Sequence, residues 1–403
     1  MLPFTILSIW LLGLMSLAVP ILAVYLLWKW YEASRVLEWV GTERVLNFEW
    51  DVGLNFPTFA LILGSLLLLM SVAGRFIMPF LLGRLARPAD DPAQSATGAH
   101  STRMRVQTPD DAQINVESSG MHSALTIVLV HGWGMNSSIW KYARSKLEKE
   151  YRVVTLDLAG LGHSSEPGNH DYRLANLASH LNTVLDAVGG ERFLLVGHSI
   201  GGMITQTFFA AFPESFTRKI AGIVLAHTTY INPVHTCQRR KLAAALQKAV
   251  IEPLLKFTIV VSPFVRVMQK LSYQNGLSHL SNARSSFAGG QTREQLDTVS
   301  KLGTHGSPKV LARGALAMLE LDVGPVLPQL PVPTLVVGGD KDTSTCLDAS
   351  QYISQRIPRA TLRVLKPAKH MGLIEHHEEF SQSVLSFART LNVPQQGKTL
   401  TLM

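Results

Sequence analysis

Charge is scarce in this chain: only 16% of its 403 residues are Asp, Glu, Lys or Arg, where an ordinary soluble domain carries about a quarter. So low a proportion argues against a purely soluble protein and for a part that sits in lipid. Cysteine is scarcer still. Cys237 and Cys346 lie far apart and match no metal-binding or redox spacing, so a disulfide-stapled scaffold is excluded, while one bond between the pair stays open and says little about compartment. No P-loop and no HExxH occurs, and Gly160-Leu161-Gly162 lacks the further glycine of a dinucleotide loop. No metal and no cofactor is therefore expected.

Hydrophobic residues make up 47% of the chain, the mean hydropathy is +0.18 and the net charge is +8. The positive charge is uneven. Between Val234 and Arg313 stand twelve Lys or Arg against three acids, Glu252, Glu294 and Asp297. This segment alone supplies the whole surplus. No stacking aromatics or helix-turn-helix pattern accompany it, so nucleic acid is not the expected partner; a face turned toward anionic lipid and a merely solvated basic surface both stay open.

Residues 2–28 contain no charge, and Trp28, Trp30 and Tyr31 follow at the exit, the composition of a bilayer-crossing helix with an aromatic anchor. A cleaved signal peptide would need a basic start and a short apolar core ending at small residues, and neither is present. A second apolar run from Phe56 to Gly74 continues into an amphipathic stretch with Arg75 and Arg84, giving helices over about 2–28 and 56–82. The second either spans or lies as a hairpin or interfacial helix. The intervening loop has three basic residues (Lys29, Arg35, Arg44) beside five acids, whereas five (Arg75, Arg84, Arg87, Arg103, Arg105) follow the second run. That asymmetry leans toward a multi-pass membrane protein with both termini, and the region after the spans, in the cytoplasm. Residues 1–87 are thus read as a membrane anchor, 88–102 as a flexible linker of small polar residues, and 393–403 as a tail.

From Arg103 the pattern alternates strands and helices. MRVQT and QINVES flank Pro109-Asp110-Asp111, a hairpin signal. Apolar runs without polar alternation follow at TIVLV, RVVTLDL, FLLVG, GIVLA, TLVVGG and TLRVL, as suits strands of a parallel sheet buried on both faces. Helices are expected over 174–188 and 203–212, the latter ending at Pro213. Helix-like, basic and apolar sequence over about 234–322 interrupts the alternation as an inserted cap. It is either an interfacial, lipid-accepting lid or an ordinary packed cap.

Gly197-His198-Ser199-Ile200-Gly201 follows the strand FLLV and opens a helix. A hydroxyl that attacks an ester must stand clear of its backbone beside a base, and a tight strand-to-helix turn flanked by small residues achieves this. His131-Gly132-Trp133-Gly134 follows TIVLV, Asp157 to Ser164 (DLAGLGHS) follows the next strand, and Gly339-Asp340-Lys341-Asp342 and Lys369-His370-Met371 come near the end. In these motifs and their order, residues 103 to 392 resemble the α/β-hydrolase family. The resemblance implies a mostly parallel central sheet flanked by helices, with the cap inserted after the sixth strand and one or two transmembrane helices ahead. It implies Ser199 as nucleophile, His370 as general base and Asp342, rather than Asp340, as the acid orienting the histidine. The backbone N–H groups of Trp133 and Ile200 would form an oxyanion hole, with Gly197, His198 and Gly201 shaping the nucleophile turn.

His131, Asp157 and His163 are read as loop-shaping residues, His376 and His377 as exposed, and the His198 side chain as pointing away from the attack site. No acid follows GIVLA, where HTTYIN stands. Thr343-Ser344-Thr345-Cys346 occupies a place where relatives carry a proline, a local loop difference expected to leave the triad unaffected. The function so implied is cleavage of apolar, lipid-like carboxylic esters through an acyl-enzyme, with small-molecule or lipid esters and membrane lipids as partners. An acyltransferase or thioesterase using the same triad, and a catalytically silent membrane scaffold, are the alternatives.

Overall fold

The computed structural model describes residues 2–49, 53, 55–85 and 101–391. Nearly all of the expected linker and the whole tail lie outside them. Two long helices open the chain, α1 (Leu2–Ala33) and α2 (Phe56–Leu82). Both are long and apolar enough to cross a membrane by length and composition alone. They pack against each other where side chains are small: Ala23 and Ala60 are fully buried, and a Cβ on Gly64 would meet Leu27 at 3.0 Å. Helix α1 outruns its expected end at residue 28, because nothing before Ser34 breaks it and Lys29 pairs with Glu32 one turn on. The stretch between the helices, expected as a loop, forms an antiparallel hairpin, β1 (Arg35–Val40) and β2 (Glu43–Phe48). Its tight turn places Gly41 at φ +67°, a conformation glycine adopts without steric cost.

The main sheet begins with β3 (Thr102–Gln107) and β4 (Gln113–Gly120), the antiparallel pair foreseen around Pro109. Then come β5 (Leu125–Val130), α3 (Lys141–Leu147), β6 (Arg152–Leu156), α4 (Leu174–Val188), β7 (Arg192–His198), α5 (Ile200–Ala211), α6 (Pro213–Lys219) and β8 (Ile220–Ala226). Helix α5 starts three residues before its expected start, directly after Ser199, and Pro213 opens α6 instead of merely ending its predecessor. The cap follows as α7 (Arg240–Leu246), α8 (Glu252–Val260), α9 (Ser262–Gln274), α10 (Leu277–Ser285), α11 (Arg293–Leu302) and α12 (Pro308–Met318). The chain returns to the sheet through β9 (Thr334–Gly339), α13 (Leu347–Arg356), β10 (Ala360–Leu365), α14 (Gly372–Glu375) and α15 (His377–Leu391).

Eight strands form one sheet in the order β10-β9-β8-β7-β5-β6-β4-β3, in which β4 alone runs opposite to the other seven. Every residue of β5 and β9 is buried, which explains their unbroken apolar runs. Alternate side chains feed two cores. Val128, Val130 and Leu195 face Phe208 and Phe216 on one side, while Ile127, Leu129 and Val196 face Trp140 and Phe380 on the other. With both faces filled, the loops after β5, β7, β8, β9 and β10 converge at the carboxyl edge, where such sheets hold their ligands.

Candidate active site

The turn from β7 to α5 holds Ser199 at φ 53°, ψ −117°, a backbone conformation that costs a non-glycine residue and persists only where packing enforces it. The packing is tight. A Cβ on Gly197 would come 2.5 Å from the Gly201 backbone, and one on Gly201 would overlap the Val130 carbonyl. The small residues thus serve the close approach of strand and helix that the sequence implied. Thr228, on the neighbouring β8 loop, donates its hydroxyl to the Ser199 carbonyl at 2.6 Å.

Three residues distant in sequence meet here. Ser199 Oγ lies 3.1 Å from His370 Nε2, and His370 Nδ1 lies 2.8 Å from Asp342 Oδ2. All three side chains are buried, with Ser199 exposing 6% of its surface at the cavity wall. Burial pushes the His370 imidazole below its ordinary value, against the attraction of Asp342. Burial also opposes the Asp342 carboxylate, but the neighbouring His370 and hydrogen bonds from His227 and His370 hold it well below the carboxylate range. Asp340 sits nearby in another role, accepting the Ala368 N–H at 2.8 Å.

Two features depart from expectation. The loop Thr343–Cys346 bears directly on the acid. Asp342 Oδ1 accepts the N–H groups of Ser344 (2.8 Å) and Thr345 (3.1 Å), and the Thr345 hydroxyl donates to Oδ2 at 3.0 Å. Secondly, the HTTYIN segment contributes His227, whose Nδ1 lies 3.2 Å from Asp342 Oδ2 in a fully buried setting. The sequence reading looked there for an acid, and the only available signal was a histidine directly after a sheet strand.

The remaining histidines sort by contact. His198 is fully buried, its Nε2 donating to the His370 carbonyl at 3.1 Å. Burial, then the His370 and His227 rings, drive its titration well below the usual range. It therefore turns away from Ser199 Oγ and braces the loop carrying His370. His131 donates from Nδ1 to the Gly132 carbonyl and accepts the Leu158 N–H at Nε2. The Asp157 carboxylate takes the N–H groups of Ser137 and His163 and the Asn115 amide. Both tie loops together, as expected. Neither His376 nor His377 is exposed as expected: His376 is half-buried, its Nε2 donating to the Pro367 carbonyl at 2.7 Å, and His377 is buried and stacks on Tyr142 with centroids 4.4 Å apart, because α15 turns that face onto α3. Both cysteines are free. Burial raises the Cys346 thiol to about 11 and also raises Cys237, leaving neither a reactive thiolate at neutral pH.

Trp133 and Ile200 flank Ser199 on the β5 and β7 loops. Ile200 is the first residue of α5, where an N–H has no partner within the helix. The Trp133 indole donates to the Leu311 carbonyl of α12 at 3.0 Å, and its ring lies so near Gly314 that any Cβ there would overlap it. The cap thereby holds the loop in place. Beyond Ser199 a cavity of about 440 Å³ extends under the cap, within the size range of small-molecule sites. Among the described residues no group of three or more His, Cys, Asp or Glu is placed to hold a metal ion.

The sheet order, the turn carrying Ser199 and the inserted helical cap define a hydrolase-type α/β protein. Residues 126–377 match the family model of the alpha/beta hydrolase fold, and the chain belongs to that family. It is 25% identical over 264 residues to a pimeloyl-[acyl-carrier protein] methyl ester esterase of Aliivibrio fischeri, covering 65% of this chain and 92% of that one. A 3-oxoadipate enol-lactonase of Acinetobacter baylyi is 24% identical over 291 residues, or 71% and 96% of the two chains. Among solved structures, an esterase from Exiguobacterium antarcticum superposes with a TM-score of 0.58 at 22% identity, over 72% of this chain and all of that one. A membrane phospholipase A gives the same TM-score at 21% identity and covers 83% of this chain and 99% of that one.

Proposed function

We propose that the protein is a membrane-anchored serine hydrolase that cleaves carboxylic esters of apolar acids through an acyl-enzyme. In this reading His370 takes the proton of Ser199 as Oγ attacks the ester carbonyl, and the charge that develops on the imidazole is balanced by Asp342. The backbone N–H groups of Trp133 and Ile200 receive the oxyanion, each worth about 10²- to 10³-fold in rate. Collapse expels the alcohol with the proton from His370. Water, activated by the same imidazole, then releases the acid. The observation that carries the reading is the unbroken chain from Ser199 Oγ to His370 to Asp342 at 3.1 and 2.8 Å.

Supporting the ester substrate are the esterase and lactonase relatives, which share this region over nearly their full length. Supporting the membrane reading are the two apolar helices and the exposed apolar stripe of α2, Phe59, Ile62, Leu66, Leu69 and Val72. The first turns of α1 and the last turns of α2 both pack on the cap, with Trp10 hydrogen-bonded to Thr258 and Gly74 against Asn275. In this reading the chain start and the catalytic region share one face of the bilayer, the cytoplasmic one by the basic-residue bias, and the β1–β2 hairpin lies on the other.

A fluorophosphonate label and a series of p-nitrophenyl esters, applied to the intact protein and to Ser199→Ala, test the function. Hydrolysis and labelling that both vanish in the variant support it. A wild type silent on every ester and unlabelled refutes it.

A further inference from the structure

The cavity that begins at Ser199 and Met203 does not end within the cap. It passes Leu255 and Val265 on α8 and α9 and reaches Ile6, Ile9 and Leu12 on α1. The first membrane-type helix is therefore part of the cavity wall. Its seat there is specific. Trp10 donates to the Thr258 hydroxyl at 2.9 Å and stacks on Phe257 with centroids 5.5 Å apart, and Gly13 gives Met268 room that a Cβ would take. A helix serving only as a tether would need none of these contacts with the cap.

The same turns of α1 adjoin an exposed apolar face. Phe257, Val260, Phe264 and Val267 recur at helical spacing along α8 and α9 with exposures from 47 to 78%, next to the exposed Leu11 and Leu14 of α1. Exposed Lys256, Arg266 and Lys270 are interleaved with them. Apolar side chains among exposed cations form the surface that an anionic bilayer accepts, with hydrocarbon below and headgroups around the lysines and arginines. From Leu12 to the Trp28 anchor is about 24 Å of helix at 1.5 Å per residue, a few ångströms less than a hydrocarbon thickness of about 30 Å. With Trp28 at one interface, the α1 end of the cavity falls just inside the hydrocarbon of the other leaflet.

We infer that α1 forms the acyl-chain wall of the active-site cavity, and that the substrate is a long-chain ester whose chain enters from the bilayer between α1 and helices α8 and α9. The inference rests on the hydrolase reading above and names its substrate class: esters of unbranched acyl chains long enough to reach from Ser199 to α1. Short acyl esters occupy only the Ser199 end and never touch that helix.

The test compares kcat/KM for p-nitrophenyl palmitate and p-nitrophenyl butyrate in detergent micelles, using the full chain. Ile9→Trp and Leu12→Trp fill the cavity at its α1 end. Each is expected to lower the palmitate-to-butyrate ratio at least about tenfold, the scale of chain-length discrimination in apolar pockets. Ile21→Trp makes the same change at an exposed position of the same helix, two turns beyond the cavity and the cap face, and is expected to keep the wild-type ratio. A wild-type ratio in both cavity variants, or an equal fall in all three, overturns the inference. If the tryptophan variants fail to fold, as judged by loss of fluorophosphonate labelling, Leu12→Ala decides. A ratio lowered about threefold or more supports the wall, since contact with the chain is lost, and an unchanged ratio overturns it. A wild type that neither hydrolyses butyrate nor takes the label refutes the underlying hydrolase reading instead.

Discussion

Replacing Asp342 with Asn changes one atom in the site and should nearly silence it. Asp342 Oδ1 is fixed by two backbone donors, Ser344 N–H and Thr345 N–H, which cannot turn away. The amide oxygen of Asn must take that side, so its NH₂ faces His370 Nδ1, His227 Nδ1 and the Thr345 hydroxyl, all of which point at Oδ2 in the native protein. His370 can then meet the amide only with a bare Nδ1, which moves its proton to Nε2, the atom 3.1 Å from Ser199 Oγ. The base has lost its lone pair. Such a tautomer reversal costs about 10⁴ in kcat in other serine hydrolases, or about 5 kcal/mol of barrier, with KM little changed because binding does not use the proton. The fold should survive, since His227 can make the same switch: its Nε2 is buried with no hydrogen-bond partner among the described residues and can carry a proton. Steady-state kinetics on a p-nitrophenyl ester, with fluorophosphonate labelling in parallel, gives the answer. An Asp342→Asn protein that keeps more than about a hundredth of wild-type kcat refutes the assignment of the acid. Asp340→Asn serves as the control and should lose far less, because Asp340 only ties down Ala368.

Five further outcomes follow from the same contacts. Ser199→Ala should lower kcat by at least about 10⁴-fold while leaving thermal unfolding near wild type, the small hydroxyl being the only group removed. His227→Ala should slow turnover and move the acid limb of the pH–rate profile upward, since Asp342, freed of one partner, pairs more strongly with His370; an unmoved limb would make His227 a packing residue only. In the wild type the acid limb of kcat/KM should fall below 6.5, because burial depresses His370 and keeps its reactive neutral form populated to lower pH. The same sign applies to stability: His131, His198 and His370 all titrate lower when folded than when unfolded, so the unfolded chain binds more protons and denaturant midpoints should drop as pH falls below 6.5. Gly201→Ala, whose Cβ would overlap the Val130 carbonyl, should destabilise the protein by about 1–3 kcal/mol or more in the same assay.

Much of this molecule is legible in local sequence. Apolar runs without alternation signal strands covered on both faces, and β5, β7, β8 and β9 are such strands. Glycines on both sides of Ser199 signal a close approach, and their missing Cβ atoms are where strand, helix and neighbouring loop touch. The β1–β2 hairpin was missed because its side chains are exposed on both faces, so no in-and-out alternation marks it.

The sequence by itself determined which chemistry-bearing groups exist and in what order, because the order of strands fixes which loops reach the carboxyl edge of a parallel sheet. It also determined where the lipid-compatible stretches lie, since that depends on composition over a window. Only the tertiary structure decided which groups stand around the acid. His227 is 115 residues from Asp342 in the chain, and nothing local to either one encodes their contact. The same holds for α1, whose first turns read as lipid-facing helix yet close the far end of the cavity. Such pairings arise from how layers stack, and an apolar side chain looks the same in sequence whether it meets a lipid, a cap helix or a substrate.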